Sequence, residues 1–283
     1  MFGKSHYDMT SKFSTSAKTV SRHRVDASGI HKELDHVIEE RAIAFVYNGI
    51  SHAVMMATPF DLEDFAIGLS YTEGIVSSPD EILGVDLVDR EQGIELEILI
   101  SSRSFAGLKA RRRSFAGRSG CGLCGVESLK EALPEIPQIT TQASINTAAL
   151  RRAKRHLNAH QVIRGVTGSA HAAALCSCEG EIILVREDVG RHNALDKLIG
   201  AMLRANHSLE GFILMTSRAS YELVSKAAVI GVPILACVSA PTSVAIEEAE
   251  RAGLTLICYL SREDEMVYSG KERILNSLEA DVS

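Results

Sequence analysis

The chain reads as an α/β protein, with a smaller N-terminal α+β lobe followed by a doubly wound C-terminal lobe. Three observations predict this. From about residue 180 onward, short apolar strands alternate with amphipathic helices, the pattern of helices layered on a largely parallel sheet. Before residue 101 the apolar runs come instead in pairs, one pair joined by Asn48-Gly49, a strong hairpin signal. Between these regions Pro134-Glu135-Ile136-Pro137 forces an extended linker. The expected division is a poorly ordered tail over 1–40, an α+β lobe over 41–137 and an α/β lobe over 138–283.

The elements follow in order. Met1 to Arg24 is polar and lacks the apolar core of a signal peptide, so a loosely ordered tail is expected. Ala42–Tyr47 and His52–Met56 read as the strands of the Asn48-Gly49 hairpin. Thr58-Pro59-Phe60-Asp61 reads as a helix start: Thr58 can cap, Pro59 suits the first helical position, and Asp61 complements the dipole. Leu62, Phe65, Ala66 and Leu69 give that helix one buried face, and Gly74 follows its end. Gly84–Val88 and Ile94–Ile100 make a second strand pair. Beyond the linker, a helix over about 146–160 presents Leu150, Ala153 and Leu157 on one side. Strands Ile182–Val185, Phe212–Thr216, Pro233–Val238 and Thr255–Tyr259 then alternate with helices Asn193–Leu203, Tyr221–Ile230 and Ser243–Ala252.

Composition excludes several classes. With 283 residues, 46% of them hydrophobic, the chain can bury a full core. A formal net charge of -6 argues against general attraction to nucleic acid or to an anionic membrane. No apolar run reaches the roughly 18–20 residues that span a bilayer. Six cysteines (Cys121, Cys124, Cys176, Cys178, Cys237, Cys258) are too sparse for a secreted disulfide scaffold and fit a reducing cytosol, so a cytoplasmic location is expected.

The densest chemistry is Gly120-Cys121-Gly122-Leu123-Cys124-Gly125, which follows a basic run of Lys109, Arg111, Arg112, Arg113 and Arg118. Flanking glycines suit a mobile loop, and nearby cations favour the thiolate, the form that attacks or carries sulfur. Three readings stand beside each other. One is a reactive cysteine pair. Another is structural zinc shared with Cys176 and Cys178, although a Cys-x-Cys after a long gap matches zinc spacings poorly. The third is a thioredoxin-like redox pair, whose motif normally opens a helix straight after a strand. Zinc deaminase chemistry needs H-x-E ahead of P-C-x-x-C, whereas His171-Ala172-Ala173 has no glutamate and follows the CxxC.

Further clusters fall just after strands. Thr216-Ser217-Arg218, Ser239-Ala240-Pro241-Thr242 and Ser261-Arg262 each place hydroxyls or guanidinium groups where the ends of parallel strands meet helix starts. Singly these are ordinary helix caps; together they suggest a phosphate or nucleotide pocket. Arg186-Glu187-Asp188-Val189-Gly190-Arg191-His192-Asn193 is read as a polar loop in which Asp188 caps a helix and Arg186, Arg191 and His192 face an anion. Its bland alternative is a salt-bridged segment. Thr167-Gly168-Ser169-Ala170-His171 adds a turn bearing a histidine. There is no GxGxxG and no GxxxxGK[ST], so a Rossmann site, a P-loop or a nucleotide-hydrolysing enzyme is disfavoured.

Taken as a set, Cys121-Gly-Leu-Cys124-Gly, Thr167-Gly168 with His171-Ala-Ala-Ala, Arg186 to Lys197, Ser217-Arg-Ala-Ser-Tyr-Glu222 and Ser239-Ala-Pro-Thr242 resemble the FdhD family. So do Tyr47-Asn-Gly49 and the stretch from Pro59 to Gly74. The resemblance runs in unbroken order from about residue 40. It implies a sulfurtransferase of the persulfide-carrier type, which takes sulfur from a cysteine desulfurase and passes it to the molybdenum cofactor as Mo-bis(molybdopterin guanine dinucleotide). That transfer serves the formate dehydrogenase apoenzyme. It also implies a cytidine-deaminase-like larger lobe and a homodimer. Carried onto this chain, Cys121 bears the persulfide and Cys124 is its partner. Tyr259, Leu260, Ser261, Arg262, Glu263 and Asp264 contact the guanine dinucleotide, with His171 and Arg218 as phosphate or base contacts. No permanently bound metal is implied. The chain departs from the family pattern at Ser169, in place of a second glycine, and at Thr216, where a Ser-Gly-Arg form is common. A rival of another class is a cofactor-binding chaperone in which a zinc-ordered CxxC merely docks a partner.

Overall fold

The computed structural model describes residues 16–115, 136–260 and 264–275. Asn48 and Gly49 both take positive φ, 47° and 81°, the geometry a two-residue hairpin turn needs. They join β3 (Arg41–Tyr47) to β4 (Ile50–Ala57). β5 (Ile82–Arg90) and β6 (Gly93–Ile100) complete a four-stranded sheet in the order β4-β3-β6-β5. Alternate residues Ile43, Phe45, Tyr47, Leu96, Ile98 and Ile100 are buried beneath α1 (Leu62–Thr72). Phe65 of that helix meets Phe45 edge-on at 5.0 Å.

The start of α1 differs from the sequence reading. Thr58 caps nothing there: its hydroxyl accepts the amide of Val189 at 3.1 Å. Asp61 instead stands at the N-cap in a left-handed conformation, φ 53°, without a side-chain cap. The N-terminal region also differs. Residues 17–38, assigned above to a poorly ordered tail, form a hairpin of β1 (Ala17–Asp26) and β2 (Gly29–Ile38). Its turn is set by Asp26, whose carboxylate accepts the Ser28 amide at 2.8 Å, and its strands are paired by Arg22 with Glu33 and Asp35. Charge pairing and a local turn do here what apolar alternation does elsewhere. Residues 1–15 lie outside the described residues.

The basic run begins as helix rather than loop. α2 (Ser102–Phe115) contains Lys109 and Arg111. Arg111 donates to the carbonyls of Glu73 at 3.2 Å and Gly74 at 2.7 Å, at the C-terminus of α1. Cys121 and Cys124 lie outside the described residues.

The second lobe is built on a six-stranded sheet ordered β13-β12-β11-β10-β8-β9. It is preceded by β7 (Ile145–Asn146), α3 (Thr147–His160) and α4 (Val162–Thr167). Asn146 caps α3 by accepting the Ala149 amide at 2.8 Å. The sheet strands are β8 (His171–Cys176), β9 (Ile182–Asp188), β10 (Phe212–Met215), β11 (Ile234–Cys237), β12 (Thr255–Cys258) and β13 (Met266–Ser269). A short β14 (Ile274–Leu275) pairs with β7. α5 (Arg191–Ala205), α6 (Tyr221–Ile230) and α7 (Ser243–Ala252) cover one face through Leu195, Leu198, Leu223, Val224, Ala245 and Ala249. α3 covers the other through Leu150, Ala153 and Leu157.

This three-layer lobe is α/β as expected, but its winding needs correction. Only β10, β11 and β12 are mutually parallel; β8 and β13 run antiparallel to their neighbours. Both crossovers between the parallel strands step the same way along the sheet, so right-handed connections put α6 and α7 on one face.

The lobes meet along α1 and α5. A Cβ added at Gly68 would stand 1.8 Å from the Asp196 carbonyl oxygen, and one at Gly200 would stand 1.8 Å from that of Asp64. Only glycine lets the two backbones approach this closely. Ion pairs surround the contact. Asp64 takes Arg186 and Arg204, each at 2.7 Å, Asp196 takes Lys226 at 2.9 Å, and Asp188 takes Lys197 at 2.6 Å.

Candidate functional site

The carboxyl ends of the parallel strands are tied into one continuous rim. Thr216, just past β10, accepts the Ala172 amide on its hydroxyl at 2.9 Å and donates its own amide to the Ala172 carbonyl at 3.1 Å. This seats His171, the first residue of β8, beside the Thr216-Ser217-Arg218 segment. The Ser239 amide then reaches the Ser217 carbonyl, and the Tyr259 amide reaches Ser239, both at 3.3 Å. From β8 to β12 the rim crosses three inter-strand steps, roughly 14 Å at the usual spacing.

The structure gathers His171, Arg218, Tyr259 and Leu260 along this rim. Tyr259 holds a positive φ of 60°, a conformation a tyrosine rarely adopts, and its ring lies 6.4 Å from that of Tyr268. Ser261, Arg262 and Glu263 lie outside the described residues. Leu260 is buried in the core between the sheet and α3, which makes it a support and not a surface contact. Asp264 is exposed.

Positive charge dominates the β8–β9 end. Burial, with Arg191 and Arg164 nearby, pushes the His171 imidazole below its ordinary value of 6.5, so it is neutral at neutral pH. His192 is lowered as well, first by burial, while Glu222 at 2.6 Å opposes the effect and Arg191, Lys226 and Arg218 add to it. Arg164, Arg191 and Arg218 have no carboxylate partner among the described residues.

The segment Arg186 to Asn193 is corrected in part. Arg186, Glu187 and Asp188 are buried members of β9 and not a loop. Arg186 is spent on Asp64 in the other lobe. Asp188 caps no helix: it accepts from Lys197, the Thr58 amide, the Gly190 amide and Asn193, which fills its carboxylate. Thr242 is an ordinary cap of α7, accepting the Ala245 amide at 3.3 Å. Arg191 and His192 do stand at the rim, at the start of α5. Arg164 was not singled out in the sequence. It reaches this end because buried Glu187 accepts the amides of Ile163 and Arg164, each at 2.9 Å, a contact no local motif reveals.

The described cysteines divide between two faces of the sheet, with Cys237 and Cys258 hydrogen-bonded neighbours on one and Cys176 and Cys178 on the other. Cys176, Cys237 and Cys258 are buried in strands, and burial pushes the Cys176 thiol up to about 12. Cys178 is half-buried. Among the described residues no three of His, Cys, Asp and Glu come together as a metal site. No helix among them is long and apolar enough to cross a membrane.

Comparison with known proteins gives this edge a context. The FdhD/NarQ family model matches residues 38–275. A sulfur carrier protein FdhD from Bordetella petrii is 46% identical over 256 residues, covering 90% of this chain and 92% of its own. Proteins of the same description from Variovorax paradoxus and Cupriavidus necator are 50% and 48% identical, over 87% and 85% of this chain and 88% and 84% of theirs. A crystal structure from Desulfotalea psychrophila, described as a formate dehydrogenase accessory protein, superposes with a TM-score of 0.73 at 25% identity. It covers 92% of this chain and all of the other. With the match running from the first lobe's opening strands through β14, the chain belongs to the FdhD/NarQ family.

Proposed function

We propose that this protein is a sulfur carrier for formate dehydrogenase maturation, with Cys121 carrying the transferred sulfur as a persulfide and Cys124 as its partner. The donor is a cysteine desulfurase: the Cys121 thiolate attacks the outer sulfur of the desulfurase persulfide, and the desulfurase cysteine leaves as thiolate. The acceptor substrate is the molybdenum cofactor in its bis(molybdopterin guanine dinucleotide) form, destined for the formate dehydrogenase apoenzyme. In this reading the protein is a cytoplasmic homodimer whose larger lobe is of the cytidine-deaminase type.

The carrier role rests on the description shared by relatives near half identical over most of the chain. The observation in favour of a phosphate-bearing acceptor is the rim itself. It is an arginine-rich edge on an acidic chain, with a neutral imidazole that can donate or accept. Positive charge and bidentate donors suit phosphates, and the length of the rim suits an extended dinucleotide.

Complementation tests the proposal. In a host lacking its own carrier, the wild-type chain restores formate dehydrogenase activity and Cys121→Ala does not, at equal protein level. Full restoration by Cys121→Ala contradicts the assignment.

A further inference from the structure

We infer that the β1–β2 hairpin is an exchanged arm: its apolar side docks on the outer face of the first-lobe sheet of a second copy of this chain, whose own arm docks in return. The inference gives the proposed homodimer an interface and rests on that part of the reading.

The arm has two unlike sides. Residues directly opposed in an antiparallel ladder share a face, so Val25 lies with Ile30, and Ser21 with Leu34. On this side Val25, Ile30 and Leu34 are 73%, 72% and 73% exposed, and Lys32 stands between the last two. The other side is taken up by the ion pairs of Arg22 with Glu33 and Asp35. The ribbon pairs with no other strand, and it leans on α4 and not on its own sheet. A two-stranded ribbon is marginal alone in water, and apolar residues gathered on one bare side mark a contact surface.

The receiving surface lies on the first lobe. Ile43, Phe45 and Tyr47 point under α1, so Ala42, Ala44 and Val46 point outward, alongside Val54, Met56 and Leu99 of the flanking strands. These last three are 63%, 51% and 51% exposed. Next to this apolar band Asp86, Glu95 and Glu97 line a groove of about 640 Å³. The arm therefore brings apolar side chains and a lysine, and the sheet supplies an apolar band and carboxylates. Arm against arm would set the two lysine-bearing sides together.

The size is adequate as well. Strands of ten residues run roughly 33 Å, and two of them side by side cover roughly 330 Å². Two exchanged arms, counted on both partners, bury roughly 1,300 Å², within the roughly 1,200–2,000 Å² of a specific interface. A mutual exchange about a twofold axis also closes, leaving neither arm nor sheet face bare.

Sedimentation of the full chain over a concentration series tests this. The wild-type protein sediments as a dimer. Leu34→Glu on the arm and Met56→Glu on the sheet each weaken the dimer by about a hundredfold or more, since a symmetric pair loses the contact twice. Both positions are exposed, so the monomers keep the wild-type circular dichroism and thermal midpoint. Lys32→Glu and Glu97→Lys each weaken the dimer by about tenfold, and the two together recover most of the loss, as a coupled charge pair does. A dimer unchanged in both Leu34→Glu and Met56→Glu overturns the arm exchange and leaves the homodimer standing. A wild-type chain that stays monomeric throughout overturns both. Loss in Leu34→Glu alone, with no recovery in the charge swap, shows arms pairing with each other and overturns the sheet as their site. Sulfur loading of Cys121 in the same proteins is read separately and bears on the carrier role alone.

Discussion

Replacing Lys197 by methionine should loosen the junction on which the whole rim is seated. Lys197 and Asp188 are both fully buried, 2.6 Å apart, and Lys197 also donates to the Thr58 carbonyl at 2.8 Å. Thr58 belongs to the first lobe, while Asp188 and Lys197 belong to the second, so one ammonium group closes three segments. Methionine fills nearly the same volume and removes the charge, leaving the Asp188 carboxylate buried with only neutral donors. Stranding one member of a buried ion pair costs about 3–5 kcal/mol. At about 2–4 °C per kcal/mol for a chain of this size, Tm should fall by roughly 10 °C. Calorimetry of wild type, Lys197→Met, Asp188→Asn and the double variant measures this directly. The double variant should lose less than the two singles together, with a coupling of about 1–3 kcal/mol, because the second change removes the stranded charge. A single-variant loss under about 1 kcal/mol, or strict additivity, would refute the reasoning.

Two other predictions follow from the same junction and from the rim. Gly200→Ala sets a methyl against the Asp64 carbonyl at 1.8 Å, so α1 and α5 must part; a loss of about 1–3 kcal/mol or more is expected by thermal unfolding, and an unchanged midpoint would contradict the packing. His171 carries a folded-state pKa below 6.5 because of burial and neighbouring arginines. The unfolded chain therefore binds more protons just below that value, and stability rises with pH through this window and is lost on acidification. His171→Asn should flatten the dependence of Tm on pH below 6.5, and an unchanged slope would show that the imidazole is not perturbed in the folded state.

How much of this was legible in the sequence depended on whether the deciding contacts were local. Asn48-Gly49 specified its hairpin because both residues tolerate positive φ without help from elsewhere. The start of α3 was legible for the same reason, since Asn146 bonds an amide three residues away. Thr58 misled because its hydroxyl is claimed by Val189, 131 positions along the chain. β8 went unread: His171-Ala-Ala-Ala-Leu-Cys176 has no β-branched residue, and its strand state is imposed by pairing with β9 and β10. Arg186-Glu187-Asp188 looked like a polar loop because polarity in a strand makes sense only once Asp64, Lys197 and the start of α4 are in place. At the rim, the hydroxyl and arginine clusters after the strands were visible as motifs, and the sheet brought His171 and Arg218 to one edge. Arg164 was invisible because it arrives through the Glu187 contact.

The central claim is that Cys121 carries sulfur. Incubating the full chain with a cysteine desulfurase and cysteine, followed by intact-mass and peptide mass spectrometry without reductant, tests it most directly. The wild-type chain should gain one sulfur atom, located on the peptide holding Cys121, and Cys121→Ala should gain none while still binding GDP. A variant that takes up sulfur as the wild type does, or a wild-type chain whose Cys121 peptide stays unmodified, would contradict the account.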